Sequence, residues 1–265
     1  MPPRPFLRAL AVVLTLALLG LSGAPAQAQR GGEGPVIAAA SDLQFALEEL
    51  AETFEEETGK PLRLSFGSSG NIARQIRQGA PFELFLSADE GFVEMLVDSG
   101  HAVDEGTLYA VGRLVIAAPP ASPISVDGEL EGLREALSQG TVRRFAIANP
   151  EHAPYGQRAE EALRHAGLWD DLERFLILGE NVSQAAQFAA SGSAEGGVIA
   201  YSLVRSAQIG ARLEHALIPE DWHTPLRQRM VLIQGAGEAA RAFYEFLQGD
   251  AARELLETYG FALPE

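Results

Sequence analysis

Val36-Ile37-Ala38-Ala39-Ala40 runs straight into Ser41-Asp42-Leu43-Gln44, and the reading of this junction decides the fold. Five apolar residues without a polar interruption read as a buried strand. The next stretch places Leu43, Leu47, Leu50 and Phe54 at helical spacing and ends at Gly59. A buried strand that turns at once into an amphipathic helix is the repeating unit of an α/β protein. Further strands are expected at 62–66, 84–86, 114–117, 145–148, 175–178, 198–200 and 230–233. Helices carry Ile72 and Ile76, then Phe92, Met95 and Leu96; later ones start near Gln157, Val182 and Ser202. The last two carry Phe243, Phe246 and Leu247, then Leu255, Leu256 and Tyr259. Residues 118–128, rich in Pro and Ser, are the clearest shift in composition and read as lying near a lobe boundary. The expected class is α/β with mostly parallel sheets, in two lobes of similar size with a cleft between them.

Arg4 and Arg8, the apolar run 9–21 and Ala26-Gln27-Ala28 have the form of a secretory signal peptide, 1–28, cut after Ala28. The run is shorter than the roughly 20 residues a membrane-spanning helix needs. The chain has no cysteine, which excludes disulfides, a thiolate nucleophile, Cys metal sites and a lipidated Cys anchor. The expected product is soluble and periplasmic. Removing the signal takes away two Arg and no acid, so the net charge of −16 becomes −18. So acidic a body repels nucleic acid and anionic lipid, and no nucleic-acid partner is expected.

Ligands of such sheets sit beyond the carboxyl ends of strands, where helices begin, so the chemistry is sought at those junctions. Ser41 stands where a helix cap belongs, with Gln44 at capping-box spacing; alone it reads as a cap, and with its neighbours as an anion donor. Ser65-Phe66-Gly67-Ser68-Ser69-Gly70-Asn71 offers two glycines for close backbone approach and two hydroxyls. It lacks the last Gly of a nucleophile elbow and the Lys of a phosphate-binding loop, and reads equally as a turn or an anion site. The third junction is Asn149-Pro150-Glu151-His152-Ala153-Pro154-Tyr155-Gly156, and the fourth Gly179-Glu180-Asn181-Val182-Ser183-Gln184. Together they would bring four helix N-termini, two from each lobe, with free N–H groups and positive dipole ends. No Lys or Arg lies within these turns. The five histidines, at 101, 152, 165, 215 and 223, form no paired metal motif on a helix. A secreted serine hydrolase using Ser41 or Ser69 with a His is the rival of another class, disfavoured by the missing elbow.

At these junctions the sequence resembles the periplasmic molybdate-binding proteins of ABC transporters. The likeness rests on Ala38-Ala39-Ala40-Ser41, Gly67-Ser68-Ser69-Gly70, Ala73-Arg74-Gln75-Ile76, Gly79-Ala80-Pro81 and Leu86-Ser87-Ala88-Asp89. It continues through the Asn149–Gly156 loop to Tyr259-Gly260-Phe261, in order along the chain. The resemblance implies a type II binding-protein fold with a hinge: lobe I from 31–112 and 227–265, lobe II from 113–226. It implies that Ser41 and Ser69 donate from hydroxyl and backbone, and that Tyr155 and Val182 donate backbone N–H groups. Some relatives add a Tyr hydroxyl after a Gly-Ile-Val strand; here that position aligns with Ala200, with Tyr201 one place later. Asp42 departs from the pattern, and its carboxylate is expected to turn from the anion while its N–H donates. The ligand would be molybdate or tungstate, with molybdenum held only as its oxyanion and no cofactor. Another tetrahedral oxyanion (sulfate, thiosulfate or phosphate) is the alternative. The expected partner is a membrane permease, and the expected state a monomer.

Overall fold

The computed structural model describes residues 34–264. The expected signal peptide, 1–28, lies outside the described residues. β1 (Val36–Ala40) passes through a 3-10 turn (Ser41–Leu43) into α1 (Gln44–Thr58), β2 (Arg63–Gly67) leads into α2 (Ser69–Arg77), and β3 (Phe82–Ser87) into α3 (Glu90–Asp98). β4 (Thr107–Gly112) runs directly into β5 (Leu114–Ala118), followed by α4 (Glu131–Ser138), β6 (Phe145–Ala148), α5 (Pro154–His165) and the short α6 (Trp169–Leu172). Next come β7 (Leu176–Gly179), α7 (Val182–Ala190), β8 (Gly196–Ala200), the short α8 (Tyr201–Val204) and α9 (Ala207–Gly210), and β9 (Glu214–Leu217). The chain closes with β10 (Leu226–Leu232), α10 (Glu238–Phe246) and α11 (Asp250–Thr258).

Two five-stranded sheets share one plan: β2-β1-β3-β10-β4 and β7-β6-β8-β5-β9. In the first, β1 pairs parallel with β2 and β3, while β10 is antiparallel to β3 and β4. In the second, β6 pairs parallel with β7 and β8, while β5 is antiparallel to β8 and β9. The sheets are therefore mixed. The strand–helix units supply the parallel half. The antiparallel half comes from strands at the two passages between sheets, one at Arg113 and the other over 218–225. The 118–128 stretch follows β5 and leads to α4, so the composition shift marks a loop inside the second sheet's territory rather than a passage.

Alternation along the strands splits the first sheet's two faces. Ile37, Ala39, Leu84, Leu86, Met230 and Leu232 pack with α1, α10 and α11. Ala38, Phe85 and Val231 point the other way, onto Ile72, Ile76, Val93 and Leu96 of α2 and α3. The second sheet has its own core around Val115, Ile116, Phe145, Ile147, Val198 and Ile199. Fully burying each large side chain contributes roughly 1.5–3 kcal/mol, which holds the helices on their sheets. Among the described residues no helix is long and apolar enough to cross a membrane.

Candidate functional site

All four junctions open on one cavity. Its walls are Ala40, Ser41 and Asp42 after β1, Gly67, Ser68 and Ser69 after β2, Ala153, Pro154 and Tyr155 after β6, and Val182 after β7, with Ala88 completing them. The cavity between them is narrow, about 10 Å³. Ser41, Ser69, Tyr155 and Val182 are thus neighbours, all nearly sealed from bulk solvent at 2%, 0%, 2% and 3% exposure. Among the described residues the lining has no Lys, Arg or His. Tyr155 and Val182 stand in the first turns of α5 and α7, where backbone N–H groups have no carbonyl one turn back.

The hydroxyls are poised to donate. Ser41 makes no side-chain cap and forms no capping box with Gln44, because the 3-10 turn separates it from α1. Instead its Oγ accepts a hydrogen bond from the Ser183 N–H at 3.2 Å. The Ser183 hydroxyl lies 2.8 Å from the Ser41 carbonyl and 3.2 Å from Gln44 Oε1, either of which accepts its proton. Ser69 Oγ accepts from the Ala88 N–H at 3.0 Å. A hydroxyl that has accepted an N–H still holds its own proton, so both serines can present it to an anion.

Behind Ser41 lies a buried polar cluster. Gln228 Nε2 donates to Asp42 Oδ2 at 2.6 Å and stands 3.3 Å from the Tyr155 hydroxyl, while Tyr109 donates to Gln228 Oε1 at 2.8 Å. Asp42 is 2% exposed, and its Oδ1 has no hydrogen-bond partner. Burial pushes its carboxyl up to about 6, against the opposing pull of Gln228, the Tyr155 hydroxyl and the backbone N–H groups of Asp42 and Leu43. Burial and the nearby Asp42 carboxylate hold the Tyr109 and Tyr155 phenols well above their ordinary value. The cluster needs Gly112, where a Cβ would fall 2.2 Å from the Tyr155 hydroxyl and 2.7 Å from Gln228 Nε2.

Contacts around the cavity hold the two lobes together. The Gly70 N–H donates to the His152 carbonyl at 3.0 Å, and a Cβ on Gly70 would meet that oxygen at 2.7 Å. His152 Nδ1 lies 2.9 Å from Ser68 Oγ, which donates to Glu180 Oε1 at 3.3 Å; Asn71 reaches the same oxygen at 2.7 Å. Arg158 pairs with Asp89 at 2.7 Å, both side chains largely covered. Ala200 and Tyr201 are not among the lining residues. The Tyr201 ring lies under the Arg113 guanidinium, 4.8 Å from its centroid.

Sequence reasoning missed Ser183, Gln228 and Tyr109. Ser183 was readable as the second residue of the α7 turn. Gln228 was readable from parity, because Leu226, Gln228 and Met230 share the buried face of β10. No group of His, Asp and Glu among the described residues is arranged to hold a metal ion.

Two sheets of this plan with a cavity lined by the ends of strands from both define a two-lobed binding protein. The profile described as "Bacterial extracellular solute-binding protein" matches residues 35–262, and the chain belongs to that family. The molybdate-binding protein ModA of Rhodobacter capsulatus is 38% identical over 96% of this chain and 94% of its own. That of Escherichia coli (strain K12) is 34% identical over 87% and 90%. Among solved structures, the periplasmic molybdate-binding protein of Azotobacter vinelandii superposes with a TM-score of 0.79 at 32% identity, covering 87% of this chain and all of that one.

Proposed function

We propose that this chain captures molybdate, and tungstate with it, in the cavity between its lobes and delivers it to the permease of an ABC importer. The observation that carries the reading is the meeting of four helix-opening junctions on one cavity without a cationic side chain. Ser41 and Ser69 donate hydroxyl hydrogen bonds, and Tyr155 and Val182 donate backbone N–H groups. No contact is assigned to Ala200 or Tyr201. The hinge division into 31–112 with 227–265 and 113–226 is supported by the sheet membership of the strands. The protein works as a periplasmic monomer after removal of 1–28, and no catalytic role is proposed.

Burying a dianion without a countercharge is costly unless its oxygens are fully hydrogen-bonded. Each hydrogen bond to a charged partner contributes about 1.5–3 kcal/mol. Some six to nine of them offset dehydration and leave about −8 kcal/mol, a dissociation constant near micromolar. Sulfate has the same charge but is smaller and touches fewer donors at once. Lobe closure then gives the permease a shape it can distinguish from the open form. A thermal-shift screen with molybdate, tungstate, sulfate and phosphate tests the assignment: the first two raise the melting temperature, and a larger rise with sulfate or phosphate overturns it.

A further inference from the structure

One residue lining the cavity sits badly with an anion: Asp42, whose carboxyl is buried close by. Its two oxygens differ. Oδ2 is held by Gln228 Nε2 at 2.6 Å, whereas Oδ1 is buried without a partner. A buried carboxylate oxygen lacking a donor is costly, and an incoming dianion raises that cost by direct repulsion. A proton on Oδ1 removes both penalties, because the group becomes neutral and turns from acceptor to donor. Gln228 fixes which oxygen receives it, since its amide occupies Oδ2.

We infer that Asp42 takes up one proton from solvent as the oxyanion enters. The inference rests on the oxyanion reading above. The anion's metal is enclosed by its own oxygens, so Ser41 and Ser69 bind as hydrogen-bond donors and no side chain is a metal ligand. The titratable side chains that face Asp42 are Tyr109 of β4 and Tyr155 of α5, both held neutral. From the other elements packed on its turn come Ser183 of α7, Ser202 of α8 (which donates to the Asp42 carbonyl at 2.7 Å), Tyr201 of α8, and Glu48 and Glu49 on the exposed side of α1. Arg227 and Arg229 of β10 point to the opposite side and pair with Glu90.

The linkage has a definite sign. In the unoccupied protein the Asp42 carboxyl titrates at about 6, and the buried dianion moves it further up. Below that value the carboxyl is already protonated and binding takes up nothing. Above it, each anion bound brings one proton, and affinity falls up to about tenfold per pH unit.

Titration calorimetry of sodium molybdate into the protein at pH 8, in HEPES and in Tris, counts the protons from the difference in buffer ionisation heat. The expected count is close to one at pH 8 and close to zero at pH 5. Asp42→Asn, whose amide is neutral and does not titrate, is expected to bind with no proton uptake and severalfold more tightly than the wild type at pH 8. Wild-type binding at pH 8 without proton uptake overturns the inference while leaving the oxyanion reading intact, and so does full uptake retained in Asp42→Asn. Absence of saturable binding at either pH overturns the oxyanion reading, and this inference with it. The wild-type count decides the matter even if the variant folds poorly.

Discussion

The two serines of the cavity look alike in sequence and are held differently in space. Ser69 Oγ receives the N–H of Ala88, which follows β3 in its own lobe. Ser41 Oγ receives the N–H of Ser183, which belongs to α7 of the other lobe. Under the proposed lobe closure, Ser69 would keep its orienting contact in both states, whereas Ser41 would have it only when the lobes meet. One serine belongs to the preformed half of the site and supplies intrinsic affinity. The other would couple the ligand to the proposed closure, the event offered to a permease in that reading.

The largest effect should come from preventing closure. In Gly70→Ala the new methyl meets the His152 carbonyl, a backbone atom with little room to yield. At about 1–3 kcal/mol of overpacking, molybdate affinity is expected to fall roughly 10- to 100-fold, with the melting temperature of the unliganded protein little changed. Equilibrium titration beside a melting curve checks both halves. Ser69→Ala is expected to weaken binding about tenfold or more through loss of one charge-assisted bond, mainly by faster release; unchanged calorimetric affinity would remove Ser69 from the site.

The Ser41 and Ser183 changes sharpen the contrast. Ser41→Ala is expected to cost about as much as Ser69→Ala, but it should be non-additive with Ser183→Ala by about 0.5–1 kcal/mol in a double-mutant cycle on affinity. Ser69→Ala combined with Ser183→Ala should be additive. The smallest effect is expected from Asp89→Asn, which removes one of two carboxylates on Arg158 and leaves Glu161 paired with it. A change of a few-fold or less in affinity, shrinking as salt is added, is the expected outcome of a titration series in sodium chloride.

Much of this arrangement was legible in the residues. β1 and β6 were readable as short apolar runs, and the starts of α1 and α7 from the polar residues that open them, whereas α5 opens at Pro154, ahead of the expected start near Gln157. What escaped had weaker local signals. β9, Glu214–Leu217, is an exposed four-residue edge strand with no run of apolar residues. β10 begins four residues before its apolar stretch, at Leu226, because Arg227 and Arg229 alternate with the buried Gln228 and disguise it as a loop. The Ser41 cap was misread for a different reason. Ser-x-x-Gln is a local pattern, and the contact that won, Ser183 to Ser41, joins residues 142 apart. Asp42 shows the same limit: its neighbours Gln228 and Tyr155 come from distant strands and helices, so the fate of its carboxyl was not readable from the residues around it.

The most direct test is calorimetric titration of the mature chain with molybdate in the presence of excess sulfate. One-to-one saturable binding near or below micromolar, undisturbed by the sulfate, is the result predicted for a cavity of neutral donors spaced for the larger oxyanion. Absence of saturable binding, or full competition by sulfate, would contradict it.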